Sequence, residues 1–155
     1  MYLHYLKTSA GVLLVKLLFV LTILIGCFAP GMSVAQSTAD IWDGVFTEAQ
    51  AARGTEAYTA RCASCHSIDL RGNSNSPSLL GMSFMFLWES RSVGELFTKM
   101  RTDMPSDQPG SLSAPTYLDI LTYILQANGF PAGSAELTSD PESLNGLVIT
   151  AQSAQ

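Results

Sequence analysis

The chain has 155 residues, of which 47% are hydrophobic and only 14% charged, with eight Lys and Arg against thirteen Asp and Glu for a net charge of −5. Two of the basic residues, Lys7 and Lys16, belong to an N-terminal apolar stretch, so the remainder carries 8 − 2 = 6 basic against 13 acidic residues, a net of −7. That sign argues against nucleic acid as a partner, and the remaining length fits one small domain with a modest core.

Residues 1–35 read as an export signal. The run from Leu17 to Ile25 is shorter than the ~20 apolar residues a membrane span prefers. Ser33-Val34-Ala35 ahead of Gln36 has the small-x-small form of a cleavage site. Two alternatives stand beside this reading. Extended back to Val12, the run approaches the length of an uncleaved anchor. The tetrad Leu24-Ile25-Gly26-Cys27 resembles a lipoprotein box, whose acylated cysteine would tether a soluble domain to a membrane.

A first helix is expected from Thr47, which has the spacing of a capping box with Gln50. It continues through Ala49, Ala51, Ala52, Ala57 and Ala60, a favourable composition. Gly54 and Tyr58 lie four apart and share one of its faces. Directly after it comes Cys62-Ala63-Ser64-Cys65-His66. Two thiols three positions apart, followed by histidine, form the attachment signature of a c-type haem. Each thiol can add to one haem vinyl group, and the adjacent imidazole can reach the iron as its first axial ligand. A zinc site would need about four ligands, and the only other cysteine and histidine are Cys27 and His4 in the N-terminal stretch. A thioredoxin-like dithiol would want βαβ patterning, which is not visible. Haem c held by Cys62 and Cys65 would use both cysteines of the domain that follows the signal, so no disulfide is expected. Bacterial attachment of this haem occurs outside the cytoplasmic membrane, which agrees with a periplasmic destination.

From Gly72 to Gly81 the composition is that of a loop. A second helix follows Ser92, with Val93, Leu96, Phe97 and Met100 at helical spacing, and must stop at Pro105. A third starts at Ser113 with Pro115 in its first turn, buries Leu118, Leu121, Tyr123, Ile124 and Leu125, and ends at Asn128-Gly129. No segment reads as a strand, so the fold class is all-α. Beyond Pro131, spaced apolar residues (Leu137, Leu144, Leu147, Val148, Ile149) suggest a C-terminal extension over 134–155 that lies back across the domain; a partner-docking or disordered tail is the other reading.

The candidate sixth ligands are Met82, Met85, Met100 and Met104. A thioether opposite histidine raises the reduction potential, which suits an electron carrier. Met104 stands out because Pro105 ends the preceding helix and lets the sulfur be presented from a loop; Met100, one turn earlier, reads as packing. Trp88, Arg71 and Arg101 are candidates to bond the haem propionates.

From about Gly54 to Gly133 the chain resembles a bacterial class I cytochrome c. The resemblance rests on Gly54-x-x-x-Tyr58 before the Cys62–His66 motif, then Leu70-Arg71-Gly72, Pro77-Ser78-Leu79 and Phe86-Leu87-Trp88. Leu96-Phe97, Met104-Pro105, Tyr117 to Leu125 and Asn128-Gly129-Phe130-Pro131 complete it. The closing segment is similar to small cytochromes that accompany quinoprotein dehydrogenases. The resemblance implies a monohaem cytochrome c fold whose first and last helices cross near perpendicular at Gly54, with Tyr58, Tyr117 and Tyr123 around the crossing. It also implies Met104 as the sixth ligand and the Pro77 carbonyl as acceptor for the His66 ring N–H. The implied function is one-electron transfer between redox proteins, a quinoprotein dehydrogenase or terminal oxidase among them, either as a free shuttle or as a fixed subunit. A haem enzyme or gas sensor would want a distal acid–base partner, and no histidine follows His66.

Overall fold

The computed structural model describes residues 39–152 except 75; the expected signal peptide at 1–35 lies outside them. Among the described residues there is no strand, only two isolated bridges, Asn73 to Ser76 and Ser92 to Val148. No described helix is long and apolar enough to cross a membrane. The domain is all-α.

A single 3₁₀ turn, Ile41–Asp43, opens the fold, capped by the Asp40 carboxylate on the Trp42 N–H. Then come α1 (Glu48–Arg61), the one-turn α2 (Ala63–His66), α3 (Gly81–Trp88), α4 (Val93–Asp103), α5 (Ala114–Ala127) and the short α6 (Pro141–Gly146). The three long helices begin where their caps place them. Thr47, Ser92 and Ser113 each accept a hydrogen bond from a backbone N–H three residues on. At Ser92 the box closes, because the Glu95 carboxylate returns to the Ser92 N–H.

At Thr47 it does not close. Gln50 is buried and turns its amide to the far end of the chain, donating to the Leu137 carbonyl at 2.9 Å and accepting from the Leu137 N–H at 2.8 Å. One side chain thereby satisfies both backbone groups of a buried residue 87 positions away. Gln50→Leu should cost about 2–4 kcal/mol, since it strands a donor and an acceptor without water. Chemical denaturation of the haem-loaded protein checks this, and a loss under 0.5 kcal/mol would mean that the clasp carries no weight.

α3 is a helix that the sequence pattern does not announce. Its residues are apolar on every face, so periodicity is silent, yet Phe84 and Trp88 are buried while Met82 and Phe86 are 91% and 89% exposed. The core joins these two aromatics to Tyr58 of α1, Leu96 and Phe97 of α4, and the inner face of α5.

α1 and α5 form the principal helix pair, and Gly54 sets their approach. A Cβ there would stand 1.9 Å from the Asp119 carbonyl oxygen. Beside this point the Tyr58 and Tyr123 rings lie 5.3 Å apart, and Arg53 grips Asp119 through two nitrogens while reaching Glu136 at 3.0 Å. Those two carboxylates hold the Arg53 guanidinium above its ordinary range. Tyr117 plays another part, taken up below.

The tail packs back on the domain. Leu137, Leu144, Leu147 and Ile149 are buried, and the Ser90 and Val93 N–H groups donate to the Ile149 and Leu147 carbonyls, each at 2.8 Å. At the other end, the Trp42 indole donates to the Thr150 carbonyl and hydroxyl at 3.2 Å.

Three carboxylates along α4 and the tail titrate below their ordinary range. Glu95 is held down by the Ser92 N–H and then Arg91, Asp103 by Lys99 and then Thr102, and Asp140 by the Ser143 hydroxyl and N–H. A depressed native pKa favours the charged, folded form. Its contribution is complete above the ordinary values of 4.5 and 3.8 and is lost as pH falls through the lower native ones. Stability should therefore fall on acidification below that range, and Glu95→Gln should narrow the gap between unfolding at pH 7 and pH 3. An unchanged gap would remove Glu95 from the acid response.

Candidate haem site

The turn between α1 and α2 falls at Cys62, whose backbone (φ −122°, ψ −32°) leaves the first helix and starts the second. Both thiols are free; Cys65 is exposed and Cys62 half-buried. Burial pushes the Cys62 thiol up to about 11, against the lowering pull of Arg61.

His66 closes the motif with every backbone group committed. Its N–H donates to the Cys62 carbonyl at 2.9 Å, and its carbonyl accepts from the Gly72 N–H at 2.9 Å. The residue is 8% exposed, and its ring Nδ1 lies 3.1 Å from the Pro77 carbonyl oxygen. With Nδ1 as the donor of that bond, Nε2 is the nitrogen left to bind a metal, the usual way a second contact fixes a ligating imidazole. Gly72 makes this possible. It sits at φ +71°, and a Cβ there would be 2.3 Å from the Ser76 carbonyl oxygen and 2.7 Å from that of Pro77. Asn73 adds a bond from its amide to the Cys65 carbonyl at 2.7 Å.

The loop that carries Pro77 is fixed from the opposite side by Asn128. Its amide donates to the Leu79 carbonyl and accepts from the Gly81 N–H, both at 2.8 Å. In sequence Asn128 signals only the end of a helix, and it serves as C-cap of α5 as well.

Met104 is the C-cap of α4, half-buried, with its N–H on the Met100 carbonyl at 3.1 Å and a cis peptide to Pro105. Its carbonyl accepts from the Tyr117 hydroxyl at 2.6 Å and from the Gly110 N–H at 3.4 Å. Of the other methionines, Met100 and Met85 pack against the core and Met82 stands in solvent. Trp88 is buried with the Arg91 guanidinium 4.4 Å from its ring centre. Arg71 is exposed and faces Asp69. Arg101 lies 5.5 Å over Phe97 and lines a cleft of about 420 Å³ with tail residues such as Ser139 and Asn145; none of the Cys62–His66 residues borders it.

The Cys62–His66 motif fits a haem c: two unpaired thiols at the right spacing and an imidazole fixed through Nδ1. The family described as cytochrome c oxidase, cbb3-type, subunit III matches residues 49–124, a span holding the thiol motif, Met104-Pro105 and most of all three long helices. Over that span, just under half of its length, the chain is similar to a c-type cytochrome domain. That likeness, together with the Cys62–His66 motif, supports haem c as the cofactor and haem-based electron transfer as the activity. Among solved structures the chain is similar to the sulfane dehydrogenase SoxCD from Paracoccus pantotrophus, at 22% identity and a TM-score of 0.47. The match covers 74% of this chain and 62% of that one, under two thirds of its length. No curated protein matches.

Proposed function

We propose that the protein is an exported one-electron carrier with a single haem c bonded through Cys62 and Cys65, and with His66 and Met104 as the axial ligands. The observation that carries this reading is the shared design of the two ligand positions. Each of His66 and Met104 has its N–H and its carbonyl engaged, leaving the ring Nε2 and the thioether to act. The bound haem supplies ferric–ferrous exchange. The chain's part is to hold both ligands through the cycle and to keep the His66 ring oriented by Pro77. Six basic against thirteen acidic residues in 39–152 suit partners with a basic docking face, since complementary charge raises encounter rates.

The test is the optical spectrum of the matured protein in both redox states. Narrow low-spin bands with a far-red sulfur-to-iron feature in the oxidised state are expected. High-spin bands that shift with carbon monoxide would overturn the assignment.

A second reading is a subunit fixed in a larger oxidoreductase, such as a terminal oxidase or a quinoprotein dehydrogenase. The matched family, named for an oxidase subunit, favours it. Native mass of the protein purified from membranes and from periplasm separates the two: a free monomer supports the shuttle, and constant co-purification of a second redox protein supports the subunit.

A further inference from the structure

Two tyrosines of the helix pair α1 and α5 reach out of the core to the loops that hold the ligand candidates. Tyr58 is fully buried and donates its hydroxyl to the Ser67 carbonyl at 2.7 Å, one residue after His66. Tyr117 is 1% exposed and donates to the carbonyl of Met104 itself at 2.6 Å. The second bond acts at a weaker place. The His66 side has many restraints around it, including the Cys62 carbonyl, the Gly72 N–H, the Pro77 carbonyl and Asn73. Met104 has one helical bond behind it, and on its carbonyl only the long 3.4 Å contact from Gly110 besides Tyr117. Beyond Pro105 the chain runs through turns and bends to Ser113, exposed over most of its length. Without the phenol, the backbone next to the thioether would keep only the last turn of α4, the long Gly110 contact and the buried Pro105 ring.

We propose that Tyr117 is a positioning residue for Met104: its phenol latches the ligand's own carbonyl and so sets how readily the thioether yields its place to an outside ligand. The inference rests on Met104 being the sixth ligand. A ligand that leaves easily exposes the iron, so the latch governs whether the protein remains a pure carrier or admits small molecules. Tyr58 is the matched comparison, equally buried and equally bonded, but on the side already secured by neighbouring contacts.

The test uses the haem-loaded protein and imidazole as competing ligand to the ferric iron. Tyr117→Phe should keep the far-red band in the absence of imidazole and bind imidazole about tenfold more tightly than the unaltered protein, the weight of one buried hydrogen bond. Tyr58→Phe should leave imidazole affinity within twofold, even where it lowers resistance to urea by a similar amount. Unmoved affinity in Tyr117→Phe, or an equal gain in Tyr58→Phe, overturns the proposal. A second measurement needs no variant. In the reduced protein the Tyr117 hydroxyl proton should exchange slowly with water by NMR, and rapid exchange counts against the latch even where the phenylalanine variant fails to accumulate. Loss of the far-red band in the unaltered protein removes the His/Met reading and this inference together, whereas an intact band with unmoved affinity removes this inference alone.

Discussion

Met104→Ala should abolish the far-red band of the oxidised protein, convert part of the haem to high-spin and lower the reduction potential. A drop on the order of 0.2 V is expected, a fraction of the ≈ 0.8 V over which axial ligation tunes haem. The direction follows from the thioether's preference for ferrous iron: without it the ferric form is relatively favoured. The effect should be specific to this methionine. Met100 sits one turn earlier and packs against the core, so Met100→Ala should cost stability but keep the band. Met82 is 91% exposed, and its replacement should change neither. A Met104→Ala protein with an unchanged oxidised spectrum would exclude it as a ligand and turn attention to Met85 and Met100.

A large effect on stability is expected at Gly54. In Gly54→Ala the new methyl carbon would meet the Asp119 carbonyl oxygen at 1.9 Å, its carbon at 2.6 Å and the Tyr123 Cβ at 2.9 Å. Two of these atoms are backbone and the third is fixed to it, so no side-chain rotation relieves the clash. The helices must separate, and with them the Tyr58–Tyr123 ring contact and the Arg53–Asp119 pair. Overpacking typically costs 1–3 kcal/mol; here about 3 kcal/mol is expected, a large share of the 5–15 kcal/mol of a small domain. Urea titration of the haem-loaded variant checks it. A loss under about 0.5 kcal/mol would show that the helix pair can slide at this point without penalty.

What the sequence made legible was local. The three long helices could be placed because each has a hydroxyl cap at its start, and a proline or an Asn-Gly pair closes the second and third. The thiol-histidine motif could be read because its spacing is itself the chemistry. What escaped was decided by partners distant in the chain. Gln50 looked like half of a capping box, yet its amide belongs to Leu137. Asn128 looked like a stop signal, yet it also staples the loop that holds Pro77. Tyr117 looked like packing at the helix crossing, yet its hydroxyl finds Met104. α3 escaped for another reason: a segment apolar all round has no moment to read, and the residues facing inward are chosen only when the core arrives.

The bond from Trp42 to Thr150 joins the two ends of the described domain at one corner. A short peptide bridging that corner would close the described domain into a ring, which can then be opened elsewhere without altering its contacts. The exposed turns around Asp107 to Gly110 would be a poor place for the new cut, because Gly110 helps hold Met104. The exposed link between Gly133 and Glu136 would fare better, provided Arg53 retains its grip on Glu136. A permuted domain of this kind could be inserted into a host protein as a module joined at two adjacent points.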